Sequence, residues 1–399
     1  MPDTSKYELP KNVSALGGKI IDVDMHECVP INHWIEEFGA VAQPMFDAIR
    51  KTAMVMVEKD TDDTEINAKT VWQNKLENAP GSFDLSRRLD VMDFTGIDKA
   101  LVFPGALAMI SVSLYASEDR ERMLKTLDVP DRRAYAIKLQ GGYNDWCARA
   151  SKVSDRLRPV AILVGEDPDD LYKNAERLVK SGVKCVWTPT GVPPAGVSPA
   201  DTALDRTWAL LAEAKCPVTA HVGGQAGFLA SSVWGQTPAF DGWKVGGEFS
   251  LDPWSLSVQH LSAQNFIATM ILGGVFERHP GLVFGTAEYT GHWVGPLAEN
   301  LDRWVTIKPF RNTHGKPAFS RKPSEYFATN IRIGCFDFEP VSEYIEKFGF
   351  EDVYCYSSDY PHNGGGKDPI GNFSRNLDAL GPKILKKVFV DNGHLLLPD

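Results

Sequence analysis

Four short stretches of this sequence end in residue types that bind cations or move protons. Asp24-Met25-His26 lies at the end of a β-rich run, and the two-residue period of a strand puts Asp24 and His26 on one side. His221 is followed by Val222-Gly223-Gly224, where glycine lets a ligand approach the backbone closely. Glu288 follows a third run, with His292 four residues later, and Ser357-Ser358-Asp359-Tyr360-Pro361-His362 closes a fourth. Taken singly, each is explained by a cap, a turn or a satisfied structural histidine. Together they place carboxylate and imidazole groups at the same end of several strands. A barrel mouth lined with unpaired Asp and His is costly, and a divalent cation removes that cost.

The elements that must position these residues are eight short β-rich runs, each followed by a segment with helical periodicity. They are Lys19–Met25, Lys99–Pro104, Pro159–Val164, Val183–Thr188, Pro217–Ala220, Leu282–Thr286, Asn330–Cys335 and Val353–Ser357. Asp84–Thr95 and Asp169–Lys180 read as amphipathic helices, stopped at Gly96 and Gly182. Eight alternating units predict an α/β fold, a (β/α)8 TIM barrel, whose active site lies at the C-terminal ends of its strands. A doubly wound open sheet is the alternative, but no G-x-G-x-x-G follows the first run. Residues 1–18 read as an N-terminal arm and 19–399 as a single domain. Long inserts after strands one and five, 27–98 and 222–254, are candidates for a lid or pocket wall.

Composition bounds the function further. The 399 residues are 43% hydrophobic and 24% charged, enough apolar content for a full core. A net charge of −10 argues against a nucleic-acid surface. No run approaches eighteen apolar residues and Met1–Gly18 lacks a signal-peptide pattern, so no membrane partner and a cytoplasmic location are expected. The six cysteines form no C-x-x-C pair and read as buried apolar residues. Several of the ten tryptophans, among them Trp234, Trp243, Trp254 and Trp293, flank Gly-rich loops and could wall a site for a flat substrate.

As a set, five motifs resemble the amidohydrolase superfamily. They are Asp24-x-His26, His221-x-Gly223, Arg88-Leu89-Asp90-Val91-Met92-Asp93 with Gly96-Ile97-Asp98, Gly273-Gly274-Val275-Phe276-Glu277-Arg278-His279-Pro280, and Ser357 to His362. More narrowly they resemble its branch of aminocarboxymuconate-semialdehyde decarboxylase, resorcylate and dihydroxybenzoate decarboxylases, and C–C and C–N hydrolases. The resemblance implies a mononuclear Zn²⁺ or Mn²⁺ site made from Asp24, His26, His221 and Asp359, and a homodimer. Two imidazoles with carboxylates suit such a borderline ion. The sequence departs from the family twice. Asp24 stands where H-x-H is commoner, and Glu288 stands where many relatives place a catalytic histidine.

The reaction expected first is hydrolysis of a C–N or C–C bond in a small cyclic or aromatic carboxylate or amide. Asp359 serves as base for a metal-activated water, and Glu288 or His292 as acid. The alternative is non-oxidative decarboxylation of an aromatic or muconate-type carboxylate. A metal-binding scaffold without catalysis is the third. Trp293, Arg332, Arg88 and His260 are the candidates for substrate contact, the arginines as carboxylate clamps. Glu27 is a candidate to orient His26, and His362 to position the eighth-strand loop. Gly364-Gly365-Gly366-Lys367 lacks P-loop spacing and reads as a rim loop.

Overall fold

The structure is a computed structural model, and it describes residues 7–52, 57–117, 119–121, 123–225, 227–228, 232–235, 237–240, 252–307 and 318–399. All strand pairs are parallel. The first strand, Ile20–His26, pairs with the second, Ile97–Phe103, in a register that sets His26 opposite Phe103. The third strand is Leu157–Pro159 continued as Ala161–Ile162, with hydrogen bonds that change sides at Val160. Val160 N–H donates to Val102 O at 2.9 Å, and Ala161 N–H to Cys185 O at 3.1 Å. The ladder continues through Val186–Trp187, Val218–His221, Phe284–Ala287, Ile331–Cys335 and Tyr354–Tyr356 in chain order. It closes where Met25 bridges Tyr360, His26 N–H donates to Tyr360 O at 2.7 Å, and Asp359 N–H donates to Asp24 O at 2.8 Å. The chain is therefore an eight-stranded parallel barrel, as the alternating runs predict.

The predicted strands lie within a few residues of the observed ones. The largest differences are the third strand, which starts and ends two residues earlier than expected, and the fourth, which is only Val186–Trp187. Helix Leu85–Thr95 starts at the Asp84 cap, whose side chain accepts from Ser86 and Arg87 N–H, and stops at Gly96 with φ 79°. This helix is the barrel's own link between strands one and two, so the true insert is shorter than 27–98. The insert carries the short helices Trp34–Phe38, Gln43–Arg50 and Thr70–Gln73 and leans on the eighth-strand loop, where Leu76 N–H donates to Pro361 O at 2.9 Å. The arm is tied to the start of the second strand, where Gly18 N–H donates to Gly96 O at 2.8 Å, and Val13 is buried. All six cysteines are buried and free. Among the described residues, no helix is long and apolar enough to cross a membrane.

Candidate metal centre

Barrel closure turns period-two alternation into a site. Asp22, Asp24 and His26 alternate along the first strand and are all buried. Lowest of the three, Asp22 accepts N–H bonds from Asp24 and Ser358, both at 3.1 Å, and so fastens strand one to strand eight. Burial pushes its pKa up to about 7.

Above Asp22 the donors converge. His26 Nε2 lies 3.3 Å from Asp24 Oδ1, 3.5 Å from Asp359 Oδ1, 3.7 Å from Glu288 Oε1 and 3.2 Å from His221 Nε2. His221 Nε2 lies 3.6 Å from Asp24 Oδ1 and 3.7 Å from Glu288 Oε2. Each imidazole is held through its other nitrogen, His26 Nδ1 at 3.0 Å from Pro104 O and His221 Nδ1 at 2.9 Å from Val222 O. With Nδ1–H donated to a carbonyl, Nε2 presents a lone pair to the cluster. With no cation bound, burial and the neighbouring His362 oppose protonation of His26, yet the carboxylates of Asp24 and Glu288 outweigh them and lift its pKa to about 9, so a cation at Nε2 takes the place of a proton. Asp24 Oδ1 and Asp359 Oδ1 are buried without a hydrogen-bond partner.

These residues fit a divalent cation. Adjacent ligands bound at about 2.1 Å to one ion stand about 3.0 to 3.4 Å apart. Most donor separations here are too long for hydrogen bonds and near that spacing. The donors fall into two overlapping groups, Asp24 with His26, His221 and Glu288, and His26 with Glu288, Asp359 and His362. Two of the side chains are held by unusual backbone, Glu288 at φ 59° and Asp359 at φ 52°. A non-glycine residue in the left-handed region costs about 1 kcal/mol or more, and such strain clusters at functional sites.

The structure separates the other candidates from this cluster. His292 is exposed, its Nδ1 is 2.7 Å from Thr290 Oγ1, and its ring faces His260 at 4.7 Å. Those two, with Trp293 and Arg303, line a groove of about 500 Å³ that no member of the cluster lines. Burial and the facing His292 push His260 down to about 4. Trp293 is buried and donates Nε1–H to Tyr289 O and Thr290 O. Neither arginine is free as a clamp. Arg332 donates to the carbonyls of Asn392, Ala328 and Ile331, since it stands at the N-terminal end of its strand, away from the mouth. Arg88 is fully buried, bonded to Gly81 O at 2.6 Å, His26 O at 2.8 Å and Ser82 O at 3.2 Å, and so braces the ligand strand. Trp234 is 71% exposed and walls nothing there, while Trp243 lies outside the described residues, as does much of 222–254.

Two residues that the sequence offers as supports, Glu27 and His362, stand beside the cluster, and further neighbours come from other strands. Glu27 accepts from Val29 N–H at 2.9 Å and Gly105 N–H at 2.6 Å, fixing the Pro104 carbonyl that holds His26 and so supporting His26 through the backbone. His362 packs on His26 at 3.8 Å between ring centroids, with Nδ1 3.2 Å from Asp359 Oδ1. Phe103 lies 4.7 Å and Trp187 5.8 Å from the His221 ring, and Met109 meets Gly223. The Asp22-x-Asp24-x-His26 alternation was the one available signal for Asp22. The aromatic neighbours had none, because they come from other strands.

The family profile described as amidohydrolase matches residues 114–398. The chain belongs to the amidohydrolase family. The chain is also similar in structure to the amidohydrolase map2389c of Mycobacterium avium subsp. paratuberculosis K-10. Their identity is 20%, the TM-score is 0.66, and the match covers 95% of this chain and 99% of that one. It is similar to a dihydroxybenzoic acid decarboxylase of Polaromonas sp. JS666 with bound manganese and 2-nitroresorcinol, at 17% identity, TM-score 0.56 and coverage of 95% and 96%. A 5-carboxyvanillate decarboxylase of Novosphingobium aromaticivorans DSM 12444, with manganese and 4-hydroxy-3-methoxy-5-nitrobenzoic acid, matches at 17% identity, TM-score 0.58 and coverage of 100% and 99%. No curated protein matches the sequence. At these identities the likeness carries the barrel fold alone.

Proposed function

We propose that this protein is a metal-dependent, non-oxidative decarboxylase of a small aromatic carboxylate. The observation that carries the reading is the pair of orphaned oxygens, Asp24 Oδ1 and Asp359 Oδ1, facing two imidazoles locked with Nε2 inward, all buried at a barrel mouth. The likeness of the whole barrel to manganese-bearing decarboxylases of aromatic acids supports carboxylate loss over the hydrolysis that the sequence suggests first.

Asp24, His26 and His221 would hold the cation, with Asp359 at its edge. When bound, it supplies positive charge that draws in a substrate carboxylate and a neighbouring oxygen and withdraws electrons from the ring. Phe103, Trp187 and Met109, close to His221 and Gly223, give a flat ring an apolar wall. The bond between ring carbon and carboxylate breaks, its electron pair stays on the ring carbon, that carbon takes a proton, and CO₂ leaves. Asp359 and His362, 3.2 Å apart, form the pair that can hold and deliver that proton. His292, turned to the other groove, takes no part.

The test is a panel of hydroxybenzoates, muconate-type acids and cyclic amides given to metal-loaded protein in D₂O. The expected result is CO₂ release with deuterium at the vacated ring carbon. Amide or C–C cleavage with solvent oxygen incorporated, and no CO₂, sinks the proposal and restores hydrolysis.

A further inference from the structure

We propose that the Glu288 carboxylate is itself a ligand of the cation, completing with Asp24, His26 and His221 a set of two carboxylates and two imidazoles, beside which Asp359 adds a third carboxylate. This rests on the metal-site reading above but not on the reaction. The sequence reading treats Glu288 as the acid or leaving-group partner, because it replaces a catalytic histidine of relatives. The geometry points elsewhere.

Glu288 divides its two oxygens between the imidazoles, with Oε1 3.7 Å from His26 Nε2 and Oε2 3.7 Å from His221 Nε2. Both separations exceed a hydrogen bond, so Glu288 is not held there by sharing a proton with either imidazole. Two acceptors at that spacing, each facing the same centre, are what a shared cation requires. Asp24, His26, His221 and Glu288 each offer one donor atom, all within 4.8 Å of one another. Asp24 Oδ1, buried and unpartnered, points into the same space.

The backbone fixes this aim. Glu288 has φ 59°, its carbonyl accepts from Gln259 Nε2 at 3.2 Å, and the next residue is anchored by Tyr289 O–H donating to His221 O at 2.8 Å. The sixth-strand carboxylate is thus tied to the fifth-strand imidazole. With Asp359 3.5 Å from His26 Nε2, three carboxylates surround two imidazoles. Such a set leans toward ions that accept many oxygen ligands, manganese among them, whereas zinc is satisfied by four ligands in a tetrahedron.

The experiment compares chelator-stripped wild type with Glu288→Gln and Glu288→Asp, without substrate. Mn²⁺ binding is followed by the electron paramagnetic resonance of the free ion, and Zn²⁺ binding by competition with a chromophoric chelator. The expected result is one Mn²⁺ per chain and at least a roughly tenfold loss of Mn²⁺ affinity in Glu288→Gln, larger than its loss for Zn²⁺, with partial recovery in Glu288→Asp. Glu288→Gln holding Mn²⁺ within twofold of wild type overturns the assignment. If the variants do not fold, manganese-loaded wild-type crystals decide. A Glu288 oxygen within about 2.5 Å of the anomalous peak supports it and a longer separation overturns it. Wild type that binds neither ion overturns this assignment and the proposed function together. Glu288-dependent binding with no CO₂ from the panel supports the ligand and overturns only the decarboxylase.

Discussion

At the scale of single residues, the centre is a balance of charges that only a cation closes. Three carboxylates and two imidazoles share one space at the barrel mouth, and unpaired charges there would cost several kcal/mol each. Replacing His221 by Ala removes a donor and should abolish stoichiometric metal in elemental analysis of the purified protein. Asp359→Asn keeps the shape of the side chain but cannot deliver the proton. It should retain the fold by circular dichroism and lose about 10²- to 10⁴-fold in CO₂ release. Arg332→Met is the contrasting case. Its guanidinium serves carbonyls at the far end of the barrel, so the melting temperature should fall while KM for an aromatic carboxylate stays within twofold.

Among elements, strand ends and the loops that brace them carry the precision. Gly105 has no room for a side chain, because a Cβ there would collide with the carbonyl oxygen of Glu27. Gly105→Ala should destabilise the protein by about 1 to 3 kcal/mol in urea unfolding and weaken metal binding, since it displaces the Pro104 carbonyl that orients His26. Glu339 performs a similar task, accepting from Gly291 N–H at 2.6 Å and Phe336 N–H at 2.7 Å to join the loops after strands six and seven. Burial pushes its pKa up to about 7. The folded state thus holds this proton more tightly than the unfolded chain does. Its stabilisation is full below the ordinary glutamate pKa and is lost as pH rises through about 7. Thermal unfolding from pH 5 to 8 should show a decline that Glu339→Gln flattens. Glu27 was legible as the residue after His26, but Gly105, Gly291 and Glu339 were not, because they form no local pattern.

For the whole molecule, closing the barrel and filling its mouth are linked. The first and eighth strands meet through Asp22, Met25, Asp359 and Tyr360, beside the donors, so a bound cation also clasps the closure. Saturating Mn²⁺ should raise the melting temperature, by about 2.7 kcal/mol of added stability at a hundred times the dissociation constant, and a chelator should reverse it. The sequence by itself determined the eight parallel units and which strands end in Asp, His or Glu. Periodicity and residue chemistry are local properties and survive without tertiary contacts. It also carried enough of the family's motifs to name the superfamily. Only the tertiary structure decided which candidates share one space. It drew in Glu288 and His362, turned His292 and His260 to another groove, and gave Arg88 and Arg332 to the backbone. Those outcomes depend on side-chain direction and on distances between strands far apart in the chain, which closure of the barrel alone sets.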